Sequence, residues 1–313
     1  MYPIKFKSIY KEKIWGGNRL ASFRDNLPEN IKIGESWDIA CHEYAISEVE
    51  NGPFKGMTLQ NLMDEYGQKL MGAKVDTSWF PLSIKIITTD EKLSIQVHPS
   101  EAYAKEMGLS GGRTEAWYVI DADPGAYLYL GIKGCTKEQF KEALENDHYE
   151  DCINKVFIKA GDMFYVKSGL LHAIGENITL LEIHQNVEKE FRIFDYNRGR
   201  ELDLAQAYEV LDFENRDIES DYMLLTHKGN QIKEYNLPAD FNVEVYEVQD
   251  SLYQTSDRNR FHIFTCVSGE GDIIHGGDKR ERIRKGDSYL IPAVMGPYEL
   301  EGKMTLVKSY VAI

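Results

Sequence analysis

The chain has 313 residues, 42% hydrophobic and 28% charged, an ordinary globular balance with room for one large core or two moderate ones. Its 36 basic residues against 51 acidic ones leave a net charge of −15, which argues against nucleic acid or an anionic membrane surface as the main partner. An anionic substrate would need a local basic pocket inside an acidic protein.

The opening residues, MYPIKFKSIYKEKIWGG, show no apolar leader segment, and no run reaches the roughly 18 apolar residues of a membrane span. The cysteines Cys41, Cys135, Cys152 and Cys266 are scattered without a C-x-x-C pair. They read as reduced thiols that pack rather than bridge, in a cytoplasmic protein.

In chain order, the first predicted element is a helix over 58–71 (TLQNLMDEYGQKLM), capped by Thr58. Two strands follow, PLSIKII (81–87) and KLSIQVH (92–98), joined by a polar TTDEK turn. A hairpin centred on Asp90–Glu91 would place Lys85 opposite Gln96. Strands EAWYVI (115–120) and AYLYLGI (126–132) lead to a helix over 136–145, with Thr136 as cap and Glu138 as its capping-box partner. Strands DMFYVK (162–167) and ITLLEIH (178–184) precede a third helix over 203–211. FHIFTCV (261–267), DSYLIPA (287–293) and KMTLVKSYVAI (303–313) complete the set. Many short strands with few helices indicate a mainly β chain built as a barrel or jelly roll.

An internal repeat doubles this architecture. Residues 161–182, GDMFYVKSGLLHAIGENITLLE, match 286–308, GDSYLIPAVMGPYELEGKMTLVK, with one inserted residue between them. His172 falls opposite Pro297 or Tyr298, so the second copy has lost whatever the histidine does. The polar stretch 213–221 is the best boundary. It divides the chain into a catalytic, metal-binding domain over 1–215 and a second, degenerate barrel over 216–313 without metal ligands.

In KLSIQVHP, alternation puts Leu93, Ile95 and Val97 on one face and Ser94, Gln96 and His98 on the other. Lys85, within an apolar strand, is costly to bury unless it meets an anion or an acceptor. Glu115 opens a strand whose face it shares with Arg113, Trp117 and Val119, and His172 lies in SGLLHAIG. Singly, each of these has an ordinary structural reading. Together Gln96, His98, Glu115 and His172 make a donor set suited to a zinc-type ion that keeps an open position. Arg192, Arg198, Lys85 and Arg113 are candidates for the basic pocket. Arg198 and Arg200 read better as partners of Asp195, whereas Arg192 interrupts an apolar run.

IWGG (14–17), GESWDIA (34–40), LSIQVHP (93–99), RTEAWYV (113–119), GLLHAIG (169–175) and FRIFDYNR (191–198), in this order, resemble the type I mannose-6-phosphate isomerases, in their shorter bacterial branch. The resemblance implies two cupin-type β-barrels with inserted helices, and one zinc ion per chain on Gln96, His98, Glu115 and His172. It implies Arg192 as the catalytic arginine, with Lys85, Ser94 and Glu182 lining the substrate pocket. Two positions depart from the family's usual residues: Arg113 stands in place of Lys and His184 in place of Gln. Arg113 keeps a positive charge without a titratable amine, which suits substrate binding and not proton transfer.

The expected reaction interconverts mannose 6-phosphate and fructose 6-phosphate by proton transfer between C1 and C2, in a monomer or homodimer. Glu182 is the candidate proton carrier, with Lys85 binding phosphate or assisting. A non-catalytic sugar-phosphate-binding cupin is the alternative. An iron oxygenase would want more imidazoles, and a purely structural barrel leaves the Ser94, Gln96, His98 row unexplained.

Overall fold

The computed structural model describes residues 1–313 except 26, 215–220, 236 and 238–239. Most of the proposed boundary at 213–221 therefore lies outside the described residues.

A six-stranded and a five-stranded antiparallel sheet face each other to form the first barrel. The six-stranded sheet runs Met163–Val166, Glu115–Ala122, Ile178–Gln185, Leu82–Thr89, Ile33–Ile39, Ile9–Gly17 in spatial order. The five-stranded sheet runs Ile153–Phe157, Tyr127–Ile132, His172–Ile174, Ile95–Val97, Phe191–Phe194. Alternation decides what each face meets. Trp117, Val119, Leu128, Phe164 and Leu180 fill the space between the sheets. Ile95, Val97, Tyr129 and Phe191 point outward, under a cover of helices that includes Phe140 and Ala207.

The hairpin expected around Asp90–Glu91 does not form. Leu82–Thr89 and Ile95–Val97 belong to different sheets, and Lys85 lies opposite Glu182 and Trp37 instead of Gln96. The polar TTDEK segment is a crossing between barrel walls, and polarity alone does not distinguish that from a tight turn. The helix expected over 58–71 is split at Gly67, whose φ of +45° leaves the helical region, into Leu59–Tyr66 and Gln68–Met71. The helix Lys137–Glu145 does carry a capping box on Thr136, but the partner is Gln139 at the third helical position and not Glu138. Glu101–Met107, capped by Ser100, is a helix the sequence reading did not anticipate.

Cys135 and Cys152, expected as separate thiols, form a disulfide with Cα atoms 5.5 Å apart; Cys41 and Cys266 are free. The pair is 17 residues apart, and the intervening helix folds its ends together, which cysteine spacing does not reveal. The cysteine argument for a reducing compartment falls with it.

The second barrel is a nine-stranded sheet that also recruits Ile4–Lys5 from the start of the chain. The repeat is visible at the backbone. Gly161 and Gly286 sit at φ +92° and +91°. Their N–H groups donate to the carbonyls of Val119 and Cys266, at 2.9 and 2.7 Å. Asp162 and Asp287 each accept a backbone N–H from three residues upstream, at 2.9 and 3.0 Å. Both copies also interrupt the ladder at the same place, between Thr179 and Leu180 in the first and between Thr305 and Leu306 in the second. These registers place Gln254, His262 and Tyr298 where the first barrel has Gln96, Glu115 and His172.

The two barrels share one core. Ile84 and Ile86 from the first barrel and Phe241, Val243, Phe261 and Leu290 from the second are all buried in it, and Phe80 stacks on Phe261 at 5.0 Å. No helix among the described residues is long and apolar enough to cross a membrane.

Candidate functional site

Alternation along Ile95–Val97 turns the Gln96 side chain into the barrel, with His98 just beyond the strand. Glu115 and His172 each open a strand, so the open mouth of the barrel gathers all four. His98, Glu115 and His172 are buried, and one donor atom from each lies within 4.8 Å of the others.

The imidazole orientations follow from their outer hydrogen bonds. His98 Nδ1 lies 3.0 Å from the Lys189 carbonyl, and His172 Nδ1 lies 2.9 Å from that of Leu170. Both Nδ1 atoms therefore carry the proton, and both Nε2 lone pairs face the cluster. His98 Nε2 sits 3.0 Å from Glu115 Oε1, and neither His98 Nε2 nor the other carboxylate oxygen, Glu115 Oε2, has a hydrogen-bond partner. The Gln96 amide is 3.2 Å from His172 Nε2, and a half-turn brings its oxygen to the same place. Acceptors converging in a buried space are repulsive unless a cation sits among them. Burial and the neighbouring His98 push the His172 imidazole down to about 3, so it is a neutral donor. Glu115 is held well below the usual carboxylate range by Arg113 despite its burial. The donor set therefore fits a divalent metal.

Around it stands a layer of charge. Arg113 Nε is 2.6 Å from Glu115 and Nη2 is 3.0 Å from Glu182. Glu182, a direct cross-strand partner of both Lys85 and Trp117, also accepts from Trp117 Nε1 at 3.2 Å. Both carboxylates pair with Arg113, yet they shift in opposite directions. Arg113 is closer to Glu115, and burial beside that anion pushes Glu182 up to about 8. Lys85 lies over the Trp37 ring at 4.3 Å and donates to both Glu188 oxygens at 2.7 Å. Arg192, the register partner of Gln96, reaches Ser94 Oγ at 3.4 Å and Glu190 at 2.8 Å. Arg198 and Arg200 both bind the buried Asp195, as expected for structural partners. His184 is buried beside Glu182, with its Nε2 lacking a hydrogen bond and its imidazole pushed well below the usual range by burial and by Arg113.

Two carboxylates here went unrecognised in the sequence. Glu188, on the loop after Ile178–Gln185, approaches Lys85, Arg113, His42 and His184. Glu35 takes Lys13 at 2.8 Å and Trp37 Nε1 at 2.6 Å. Loop residues have no periodicity to betray their direction, and Glu35 stood within a recognised motif without an assigned role.

A double-sheet barrel whose mouth holds a His–Glu–His donor set beside a buried Lys, Arg and Glu defines a cupin equipped to hold a metal ion. The sequence profile of the phosphomannose isomerase type I catalytic domain matches residues 4–128, and that of the mannose-6-phosphate isomerase cupin domain matches 231–311. The mannose-6-phosphate isomerase ManA of Bacillus subtilis (strain 168) is 34% identical over 98% of both chains. The mannose-6-phosphate isomerase of Streptococcus mutans is 32% identical over 98% of both. A crystal structure of the B. subtilis mannose 6-phosphate isomerase superposes with TM-score 0.92 at 31% identity, covering 99% of this chain and 100% of that one. A phosphomannose isomerase variant from Salmonella typhimurium, at 15% identity and TM-score 0.80, shares the fold. The chain belongs to the type I mannose-6-phosphate isomerase family and is an isomerase.

Proposed function

We propose that this enzyme interconverts mannose 6-phosphate and fructose 6-phosphate with one zinc ion held by Gln96, His98, Glu115 and His172. The observation that carries the metal reading is a buried cluster in which the lone pair of His98 Nε2 lies 3.0 Å from Glu115 Oε1 while Glu115 Oε2 has no partner, with His172 in the same cluster. Bound there, zinc supplies Lewis acidity toward the sugar's oxygens.

The remaining chemistry belongs to side chains. The Glu182 carboxyl is raised by burial, which makes its ionised form a stronger base, and it is oriented by Arg113 and Trp117; as the carboxylate it takes the proton from one carbon, and as the acid so formed it returns it to the other. Arg192, beside Ser94, supplies fixed positive charge to the anion that develops when the proton leaves carbon. Arg113 and Ser94 contact substrate. Lys85 is bound to Glu188, so an incoming phosphate would compete with that carboxylate for the ammonium. The pocket supplies the local basicity that a chain of net charge −15 needs for such a substrate. The domain reading goes with this: residues 1–215 form the catalytic part, and 216–313 a barrel without the ligand set.

Turnover of mannose 6-phosphate, followed by a coupled assay for fructose 6-phosphate, should vanish on chelation and return with zinc. Full metal occupancy without turnover would reject the isomerase assignment for this substrate and return the chain to the non-catalytic sugar-phosphate-binding reading.

A further inference from the structure

Among the described residues, Tyr222–His227 (YMLLTH) ends the nine-stranded sheet and pairs on one side only, with Asn230–Tyr235. All six residues are exposed. By the period of two, Tyr222, Leu224 and Thr226 point to one face, and Met223, Leu225 and His227 to the other. Tyr222, Met223, Leu224 and Leu225 are between 41% and 57% exposed. Phe157, 70% exposed, lines the same cleft as Tyr222 and extends the apolar surface onto the catalytic barrel. Edge strands are ordinarily blunted by an internal Lys, a Pro or a bulge. This one has none of these, and its ladder runs from Tyr222 to His227 without a register shift. Open backbone groups flanked by four exposed apolar side chains form a template for another strand.

We propose that Tyr222–His227 pairs antiparallel with the same strand of a second copy, joining the two nine-stranded sheets into one across a two-fold axis. The strand is self-complementary in that arrangement. An axis between Leu224 and Leu225 sets Tyr222 opposite His227, Met223 opposite Thr226, and Leu224 opposite Leu225. Just beyond the ends, the exposed Asp221 lies beside the turn that carries the partner's exposed Lys228, at φ +50°, close enough for the long lysine side chain to reach it, and the symmetry repeats the pair at the other end. These two attractions act locally against the repulsion between chains of net charge −15.

Sedimentation equilibrium of the full chain over a range of concentrations tests this. The expected result is a reversible dimer. Asp221→Lys and Lys228→Asp, each made alone, put like charges at both ends and should weaken it about tenfold, while the double variant restores it. Leu224→Lys should give a monomer. Mannose 6-phosphate turnover, unchanged in all four variants, controls for folding. A wild-type chain that stays monomeric at every concentration overturns the proposal and leaves the strand to a foreign β-strand. A dimer indifferent to all these changes overturns it too, placing the contact elsewhere.

Discussion

His98 and Glu115 present lone pairs to each other because their other partners leave no choice. The Lys189 carbonyl claims the His98 Nδ1 proton, and Arg113 keeps Glu115 ionised. The same arginine leaves Glu182 the more weakly compensated carboxyl, which separates the two groups into an anion and an acid at neutral pH. Glu182→Gln keeps the hydrogen-bonding shape without a carboxylate that can accept and return the proton. It should cut kcat by about 10²-fold or more, with metal content unchanged by elemental analysis. Full turnover in that variant would remove Glu182 from proton transfer. Arg192→Ala should also lower kcat, by about 10²-fold, while zinc stays bound. Loss of zinc would recast Arg192 as a residue that positions its register partner Gln96.

At the scale of elements, the repeat shows how one strand plan supports two outcomes. In the first barrel Lys85 pairs across strands with Glu182. In the second the equivalent positions hold Glu244 and Lys308, the same register with the residue types exchanged, and here the two form an ion pair 3.1 Å apart, whereas Lys85 binds Glu188 and Glu182 binds Arg113. Tyr246 donates to Glu244 at 2.6 Å and Tyr310 also donates to it, so this pair is saturated from within. Among the described residues the second barrel offers no metal cluster, because His262 and Tyr298 stand where Glu115 and His172 would be. His262 is buried, and burial together with Lys308 pushes its imidazole down to about 3, with Glu244, Asp257 and Arg260 also acting on it. The unfolded chain binds that proton near pH 6.5, so stability falls as pH drops from there toward 3. His262→Gln should reduce the slope of stability against pH by about 1.4 kcal/mol per unit between roughly pH 4 and 6. Urea titrations at several pH values would check it, and an unchanged slope would mean that His262 titrates normally.

For the whole molecule, what matters is how the barrels are held together. Asp38, in the first barrel, is buried and takes Arg24 at 2.7 Å, Ser36 at 2.7 Å and Ser8 at 2.9 Å. Ser288 of the second barrel donates to it at 3.2 Å, and Arg24 also donates to the Gly286 carbonyl. Nearby, Lys5 reaches Asp287 at 2.8 Å. Elsewhere along the junction Gly72, at φ +107°, has room for no side chain, since a Cβ would lie 2.3 Å from the backbone of Asn259 and Arg260. Arg24→Ala strands a buried carboxylate between the barrels and should cost about 3–5 kcal/mol, read as a lower urea midpoint of a single transition. Two separated transitions would mean that the barrels unfold independently despite their shared core.

The His98, Glu115, His172 cluster, the mainly β architecture and the duplication were legible in the sequence, because each rests on local information, whereas Glu188 and Glu35 were not. Alternation assigns faces, and Gly161-Asp162 against Gly286-Asp287 declares the repeat. The Ser94, Gln96, His98 row was visible for the same reason, and its family motif pointed to a metal. Partnership was not legible. Lys85 meets Glu182 and Glu188, not Gln96, because the chain crosses from one sheet to the other at TTDEK; Cys135 meets Cys152 because the helix between them returns. Which strand lies beside which depends on contacts far apart in the chain, such as Lys85 with Glu182 or Ile4 with Leu290, and polar segments look alike whether they turn back or cross over. So the chemistry was written in the residues, while its electrostatic tuning, above all Arg113 between Glu115 and Glu182, was decided only when distant strands came together in the fold.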